Sequence, residues 1–232
     1  MKQVRILGIN GSPKRKGSTR TLMEWVLEGC REAGAETELI NITDYRIEYC
    51  IGCHRCLKEG SCFLSDEYGA VFEKLMGADG IVVGSPVYEG MPTAQLKTLL
   101  DRMTLLNLYA ATFSDKLSVG VATSGIAPPR GTARTAAGMF GSVVGIIGAK
   151  TATLKGGMKH LEERHDPGLP RKARRLGGKL VKKALTSERK RFSSLKAAWI
   201  YFLRKYLLKK LVTRFPEDFR AAIEMNPDLY GP

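Results

Sequence analysis

Val4-Arg5-Ile6-Leu7-Gly8-Ile9-Asn10-Gly11-Ser12-Pro13-Lys14-Arg15-Lys16-Gly17-Ser18-Thr19-Arg20-Thr21 decides the fold. The apolar run Val4 to Ile9 ends in Asn10-Gly11-Ser12, as a buried parallel strand does when it feeds a loop. Ser18 or Thr19 then caps a helix with Leu22, Val26 and Leu27 on one face, ending near Gly34. Gly11 and Gly17 allow tight turns. Ser12, Ser18, Thr19 and Thr21 offer hydroxyls, and Lys14, Arg15, Lys16 and Arg20 add positive charge. Free N–H groups at a helix N-terminus suit an anion. The pattern is neither Gly-x-Gly-x-x-Gly nor Gly-x-x-x-x-Gly-Lys-Ser/Thr, which favours one terminal phosphate over a pyrophosphate or a triphosphate. An ordinary capped helix behind a solvated basic loop is the alternative reading of these residues alone.

Working outward, Thr37 to Ile42, Asp79 to Gly84, Lys116 to Thr123 and Ile147 to Leu154 read as further strands. Helical spacing marks about 67–76, Thr93 to Leu106, a helix after Gly131, and Pro170 to Thr186. Strands alternating with helices predict a parallel sheet with right-handed crossovers and helices on both faces. The loops 10–21, 85–92 and 124–132 each follow a strand, so all three project from the carboxyl edge, where such sheets bind ligands.

Gly11-Ser12-Pro13 with Ser18-Thr19, then Ser85-Pro86-Val87-Tyr88, Leu96-Lys97 and Asp101-Arg102, resembles the NADPH-dependent FMN reductase branch of the flavodoxin-like proteins. The likeness covers about residues 2–155. It implies an α/β, doubly wound five-stranded parallel sheet of order 2-1-3-4-5 that binds FMN. The phosphate would be held by Ser12, Lys14, Ser18, Thr19, Arg20 and Thr21. The ring would be bordered by Pro86, Val87, Tyr88, Glu89 and Gly90, with Thr123, Ser124 and Gly125 as the other wall. Simple core packing is the plainer reading of Tyr88, and a surface ion pair explains Lys97 and Asp101. No paired carboxylates and no Ser–His–Asp order suggest hydrolysis, so no residue is assigned to catalysis and the chemistry is left to the flavin.

Four of the five cysteines, Cys50, Cys53, Cys56 and Cys62, fall in one short window. Such bunching argues for a metal, a cluster or redox chemistry before disulfides. Thiolates suit iron–sulfur clusters or zinc. The spacing is neither the bacterial ferredoxin run nor a zinc ribbon. It is similar to the compact cysteine motif of the archaeal and bacterial iron–sulfur flavoproteins. That resemblance implies a [4Fe–4S] cluster on the four cysteines, exchange with FMN across a subunit interface of a homodimer or homotetramer, and ferredoxin as donor. Zinc and unmetallated thiols stay open. Cys30 reads as a small core residue and His54 as a surface residue.

The chain has 232 residues and a formal charge of +14. Residues 1–149 hold 16 Lys+Arg against 15 Asp+Glu, whereas 150–215 hold 20 against 4. The basic character is therefore regional. The chain divides into an FMN-binding domain over 1–187, with the cysteine loop 50–62, and a basic amphipathic helical extension over 188–232. In the extension Phe192, Leu195, Trp199, Phe202, Tyr206 and Leu211 recur among Lys and Arg. Its segment 192–215 is read as cover for the domain, as a subunit seam, or as a peripheral membrane contact. No apolar run spans a bilayer, no signal peptide opens the chain, and a cytoplasmic home follows. No nucleic-acid-binding fold accompanies the charge. Three functions are consistent with these features. The first is an FMN oxidoreductase with a cluster, passing electrons from ferredoxin or NAD(P)H to a small acceptor. The second is a cluster-free NAD(P)H-dependent FMN or quinone reductase, and the third a binding module docked by its basic tail.

Overall fold

The structure is a computed structural model that describes residues 3–153, 157–158, 160–161, 166, 168–186, 206 and 208–230. Five parallel strands, β1 (Arg5–Asn10), β2 (Glu36–Asn41), β3 (Gly80–Pro86), β4 (Leu117–Ser124) and β5 (Ser142–Lys150), form one sheet in the order β2-β1-β3-β4-β5. The order matches the expected 2-1-3-4-5. The chain steps from β1 outward to β2 and then back across to β3, so the switch in strand order lies between β1 and β3.

The crossovers are α1 (Ser18–Glu32), the short α2 (Arg55–Glu59), α3 (Tyr68–Gly77), α4 (Ala94–Ala110) and α5 (Arg130–Gly138). A two-stranded antiparallel pair, β6 (Ala152–Thr153) and β7 (Gly157–Met158), precedes α6 (Gly168–Thr186). Alternate strand residues point to opposite faces. Ile6 and Val82 pack with Leu22, Val26, Leu27, Leu180 and Val181 under α1 and α6. Leu7, Ile9, Ile81 and Val83 pack with Val71, Leu75, Leu99, Met103 and Phe140 under α3, α4 and α5. The sheet is thus buried on both sides, which is why its strands read as continuous apolar runs. Cys30 is fully buried in the first of these cores.

The last sheet strand begins earlier than its sequence suggested, at Ser142 rather than Ile147. Gly141 sets the start: it has φ +91 and sits where a Cβ would meet Phe113 O at 2.3 Å and Lys116 O at 2.4 Å. That left-handed turn aims Ser142 at the sheet, and its N–H bonds Lys116 O at 2.9 Å.

Of the basic extension, 187–205 lies outside the described residues. Residues 208–214 form α7, followed by the 3-10 turn Pro216–Phe219, α8 (Arg220–Met225) and α9 (Pro227–Tyr230). Val212, Ala222 and Tyr230 are buried against Ala110. Asn226 Nδ2 donates to Ala110 O at 3.0 Å, and Tyr230 Oη donates to Tyr109 O at 2.5 Å. Those carbonyls belong to the last turn of α4, where intrahelical donors run out. Residues 208–230 therefore cap α4 and cover the domain there. Among the described residues no helix is long and apolar enough to cross a membrane.

Candidate functional site

The turn after β1 is tied from within. Gly11 N–H donates to Gly84 O at 2.7 Å, linking it to β3. Asn10 Oδ1 accepts from Ser12 N–H at 3.2 Å, and Ser12 Oγ accepts from Lys14 N–H at 3.1 Å. Asn10 Nδ2 in turn donates to Asn41 Oδ1 at 3.1 Å. The cap of α1 is Gly17, with no side-chain cap and no acidic residue in the first turn, which corrects the expectation of a Ser18 or Thr19 cap. Gly17 is fully extended, so the helix starts one residue early and both hydroxyls are used across the fold. Ser18 Oγ accepts from Leu161 N–H at 3.1 Å, and the buried Thr19 hydroxyl shares a 2.7 Å bond with the Thr123 hydroxyl. A helix end with neither cap nor acid leaves its N–H groups and partial positive charge available to an anion.

The basic side chains there have different partners. Arg20 donates to Asn41 Oδ1 at 3.0 Å and pairs with Glu24, and Arg15 pairs with Asp44 at 2.7 Å. Lys14 is exposed. An open cavity beside the loop is lined by Lys16, Gly17, Arg20, Thr21 and Trp25.

Beyond β3, Val87 N–H donates to Thr123 O at 2.8 Å. Tyr88 and Met91 exchange backbone bonds at 3.0 and 2.9 Å around Glu89 and Gly90, whose φ values are +47 and +77. Two positive φ angles form the tightest hairpin turn; Gly90 adopts one freely, while Glu89 does so only under constraint. Thr132 Oγ1 supplies part of that constraint by donating to Gly90 O at 2.8 Å. Tyr88 is 55% exposed, so it is no core residue. Ser124 is buried and its hydroxyl donates to Ala127 O; Gly125 follows it, half-buried.

Thr93, fully buried, joins the two loops. It donates from Oγ1 to Gly11 O at 2.5 Å, from its N–H to Ser85 Oγ at 3.0 Å, and caps α4 through Leu96 N–H. With the Thr19–Thr123 bond, these contacts bring all three edge loops together. Sequence reasoning passed over Thr93, Thr132, Asn10 and Asn41. A threonine ahead of a periodic run was the one signal present for Thr93.

Cys50, Cys53, Cys56 and Cys62 line one enclosed cavity together with Phe63, Asp101, Arg102 and Leu105. Cys50 and Cys53 are exposed, Cys56 and Cys62 half-buried. Among the described residues no three His, Cys, Asp or Glu side chains stand in a ready metal-binding arrangement. Burial pushes the Cys56 thiol up to about 11, and neighbouring charge on Cys62, Cys53 and Cys50 pushes the same way. Soft thiolates suit a metal ion or a cationic cluster core, and four thiols on one cavity supply that donor chemistry. The donor set therefore fits such a group. His54 is exposed in a left-handed conformation ahead of α2, although it borders the same cavity.

Beside the cysteines lies a buried ion pair that no local sequence pattern marks. Arg102 donates to Asp66 in a fork, Nη1 to Oδ2 at 2.6 Å and Nη2 to Oδ1 at 3.1 Å, with both side chains at most 1% exposed. Nη1 also reaches Glu48 O at 2.8 Å, and the guanidinium lies 4.5 Å over the Tyr68 ring. Burial works against the charged form of Asp66. Hydrogen bonds from Arg102, Glu48 N–H and Tyr68 N–H outweigh it and hold the carboxyl below its ordinary range. Lys97 and Asp101, one turn earlier on α4, form the expected exposed ion pair.

Residues 4–154 match the family described as NADPH-dependent FMN reductase. The chain is similar to an iron-sulfur flavoprotein of Methanocaldococcus jannaschii, 42% identical over 105 residues, covering 45% of this chain and 54% of the relative. It is also similar to an iron-sulfur flavoprotein of Methanosarcina thermophila, 36% identical over 121 residues, covering 52% and 62%. The chain spans little more than half the length of the curated relatives it matches. Among solved structures, an NADH:FMN oxidoreductase superposes with a TM-score of 0.59 at 18% identity, covering 82% of this chain and 94% of that one. That likeness shows the fold. With the family match extending over the whole five-stranded sheet and all three edge loops, the chain belongs to the NADPH-dependent FMN reductase family.

Proposed function

We propose that this chain is an FMN-dependent oxidoreductase that carries a [4Fe–4S] cluster. The observation that carries the flavin part is the convergence of the three edge loops on an uncapped helix N-terminus at the switch point between β1 and β3. In this reading Ser12, Lys14, Ser18, Thr19, Arg20 and Thr21 shape the phosphate end. Pro86, Val87, Tyr88, Glu89 and Gly90 border the ring opposite Thr123, Ser124 and Gly125. Thr19 contributes by tethering α1 to β4, and Arg20 by bracing Asn41. When bound, FMN supplies both one- and two-electron chemistry.

The cluster part rests on the shared cavity of Cys50, Cys53, Cys56 and Cys62, and on relatives named iron-sulfur flavoprotein. Electrons would come from ferredoxin or NAD(P)H and leave to a small acceptor. Exposed Tyr49 and Ile51 beside the cysteines, and Tyr88, Met91 and Ile126 on the edge loops, are apolar surface that a homo-oligomer would cover. The match to the NADPH-dependent FMN reductase family supports a second reading, a cluster-free NAD(P)H-dependent FMN or quinone reductase.

The test compares FMN with riboflavin. The phosphate loop predicts at least about tenfold tighter binding of FMN, from two or more charge-assisted hydrogen bonds to the phosphate. Equal affinities sink the phosphate assignment. Iron and acid-labile sulfide assays on anaerobically purified protein then separate the two enzyme readings.

A further inference from the structure

We propose that Arg102 is a positioning residue of the cysteine site, its buried and unpartnered Nε–H serving a cysteine sulfur of the cavity so that it stabilises the reduced state of a cluster bound there. This inference rests on the cluster reading above.

A guanidinium has five N–H donors in a rigid fork, and burying it is costly unless each is used. Nη1 serves Glu48 O and Asp66, and Nη2 serves Asp66. Nε is the one of the three nitrogens with no partner, and the buried side-chain nitrogen or oxygen left unsatisfied among the described residues. The side chain is 0% exposed, so solvent does not reach it. Arg102 lines the same cavity as Cys50, Cys53, Cys56 and Cys62. Asp66 and the Tyr68 ring hold the guanidinium in place, with both Nη atoms committed to Asp66. An orphan donor beside sulfur ligands has a chemical use. Hydrogen bonds to cluster sulfurs withdraw electron density and raise the reduction potential. Asp66 then has the opposite influence, since its carboxylate offsets the cation.

The experiment is a redox titration of the holoprotein, read by the cluster's visible and electron paramagnetic signals, for wild type, Arg102→Gln and Asp66→Asn. Iron, sulfide and FMN contents are measured first. Arg102→Gln should lower the cluster potential by at least the equivalent of a tenfold change in the oxidised-to-reduced ratio, about 59 mV for one electron. Asp66→Asn should raise it, because the cation is then less neutralised. A merely structural role moves neither potential while the cluster stays intact. An unshifted potential in Arg102→Gln overturns the proposal. Should Arg102→Gln fail to retain its cluster, Asp66→Asn decides, and no rise in its potential overturns the proposal equally. A wild type without iron and sulfide sinks the cluster reading itself, and with it this inference.

Discussion

Replacing Gly177 with alanine tests the seam that holds α1, and with it the phosphate loop, against the sheet. A Cβ at Gly177 would lie 1.9 Å from Val26 O and 2.8 Å from Cys30 N. Both are backbone atoms of α1, so no side chain can turn aside. Restoring ordinary contact requires α1 and α6 to part by roughly 1.5 Å. Overpacking against backbone belongs at the upper end of its range, about 3 kcal/mol. The higher helix propensity of alanine offsets about 1 kcal/mol of that. The net loss is about 2 kcal/mol, which lowers Tm by about 4–8 °C in a protein of this size. Gly178 is the control: its Cβ would meet only Gly29 O, at 3.8 Å, so Gly178→Ala should gain about 1 kcal/mol. Urea titrations followed by far-ultraviolet circular dichroism read both, with the slopes compared to confirm a change in stability alone. The two variants have identical composition and must shift in opposite directions. Shifts of the same sign, or Gly177→Ala as stable as wild type, refute the close-packed seam.

Thr123→Val leaves the buried Thr19 hydroxyl without its partner, which should cost about 1–3 kcal/mol and speed FMN release, while Thr19→Val with Thr123→Val recovers most of the stability. Unchanged urea midpoints for the single variant would show that the tether is not needed. Asp66 has a carboxyl held below its unfolded value of about 3.9, so its contribution is present above about pH 4 and is lost as pH falls through the lowered folded value. The stability gap between wild type and Asp66→Asn should therefore be constant from neutral pH to about pH 5 and shrink below about pH 4; a gap unchanged in acid contradicts the pairing. Asn226→Ala removes the donor to Ala110 O and should raise hydrogen exchange in both 220–225 and 55–59, since α8 packs on α2. Faster exchange confined to 220–225 would disconnect the extension from the cysteine helix.

The strands were legible because a parallel sheet buried on both faces writes itself as apolar runs, and four of five were read in place. The fifth was misplaced because Gly145 and Gly148 break its apolar pairs Val143-Val144 and Ile146-Ile147, and only Gly141's left-handed turn marks where pairing begins. The edge loops were legible from their glycines, prolines and hydroxyls. How those hydroxyls are used was not: Ser18 and Thr19 look like caps in a linear reading, yet one bonds Leu161 and the other Thr123, contacts separated by more than a hundred residues. The Asp66–Arg102 pair was invisible for the same reason. Asp66 sits in a polar loop and Arg102 in a helix that already offered Lys97 and Asp101 as a local pair, and nothing in either neighbourhood announces burial.

These separate features share one element. The helix α4 is about 25 Å long at 17 residues. At its start the capping Thr93 grips Gly11 and Ser85, fixing the two edge loops to each other. Midway, Leu96, Leu99 and Met103 bury it against the sheet while Arg102 and Leu105 face the cysteines. At its end Tyr109 and Ala110 accept from the C-terminal extension, whose α8 packs back on α2 beside Cys56; a Cβ at Gly60 would touch Ala221 at 3.4 Å. One rigid helix therefore links the flavin loops, the cysteine cavity and the extension, and a shift along its axis would be felt at all three. Under the proposed function, such a coupling would keep the flavin and a cluster at a fixed separation. It also gives the extension a role that needs no membrane: it holds α2 and the end of α4 together, and so keeps the cysteine loop in register with the flavin edge.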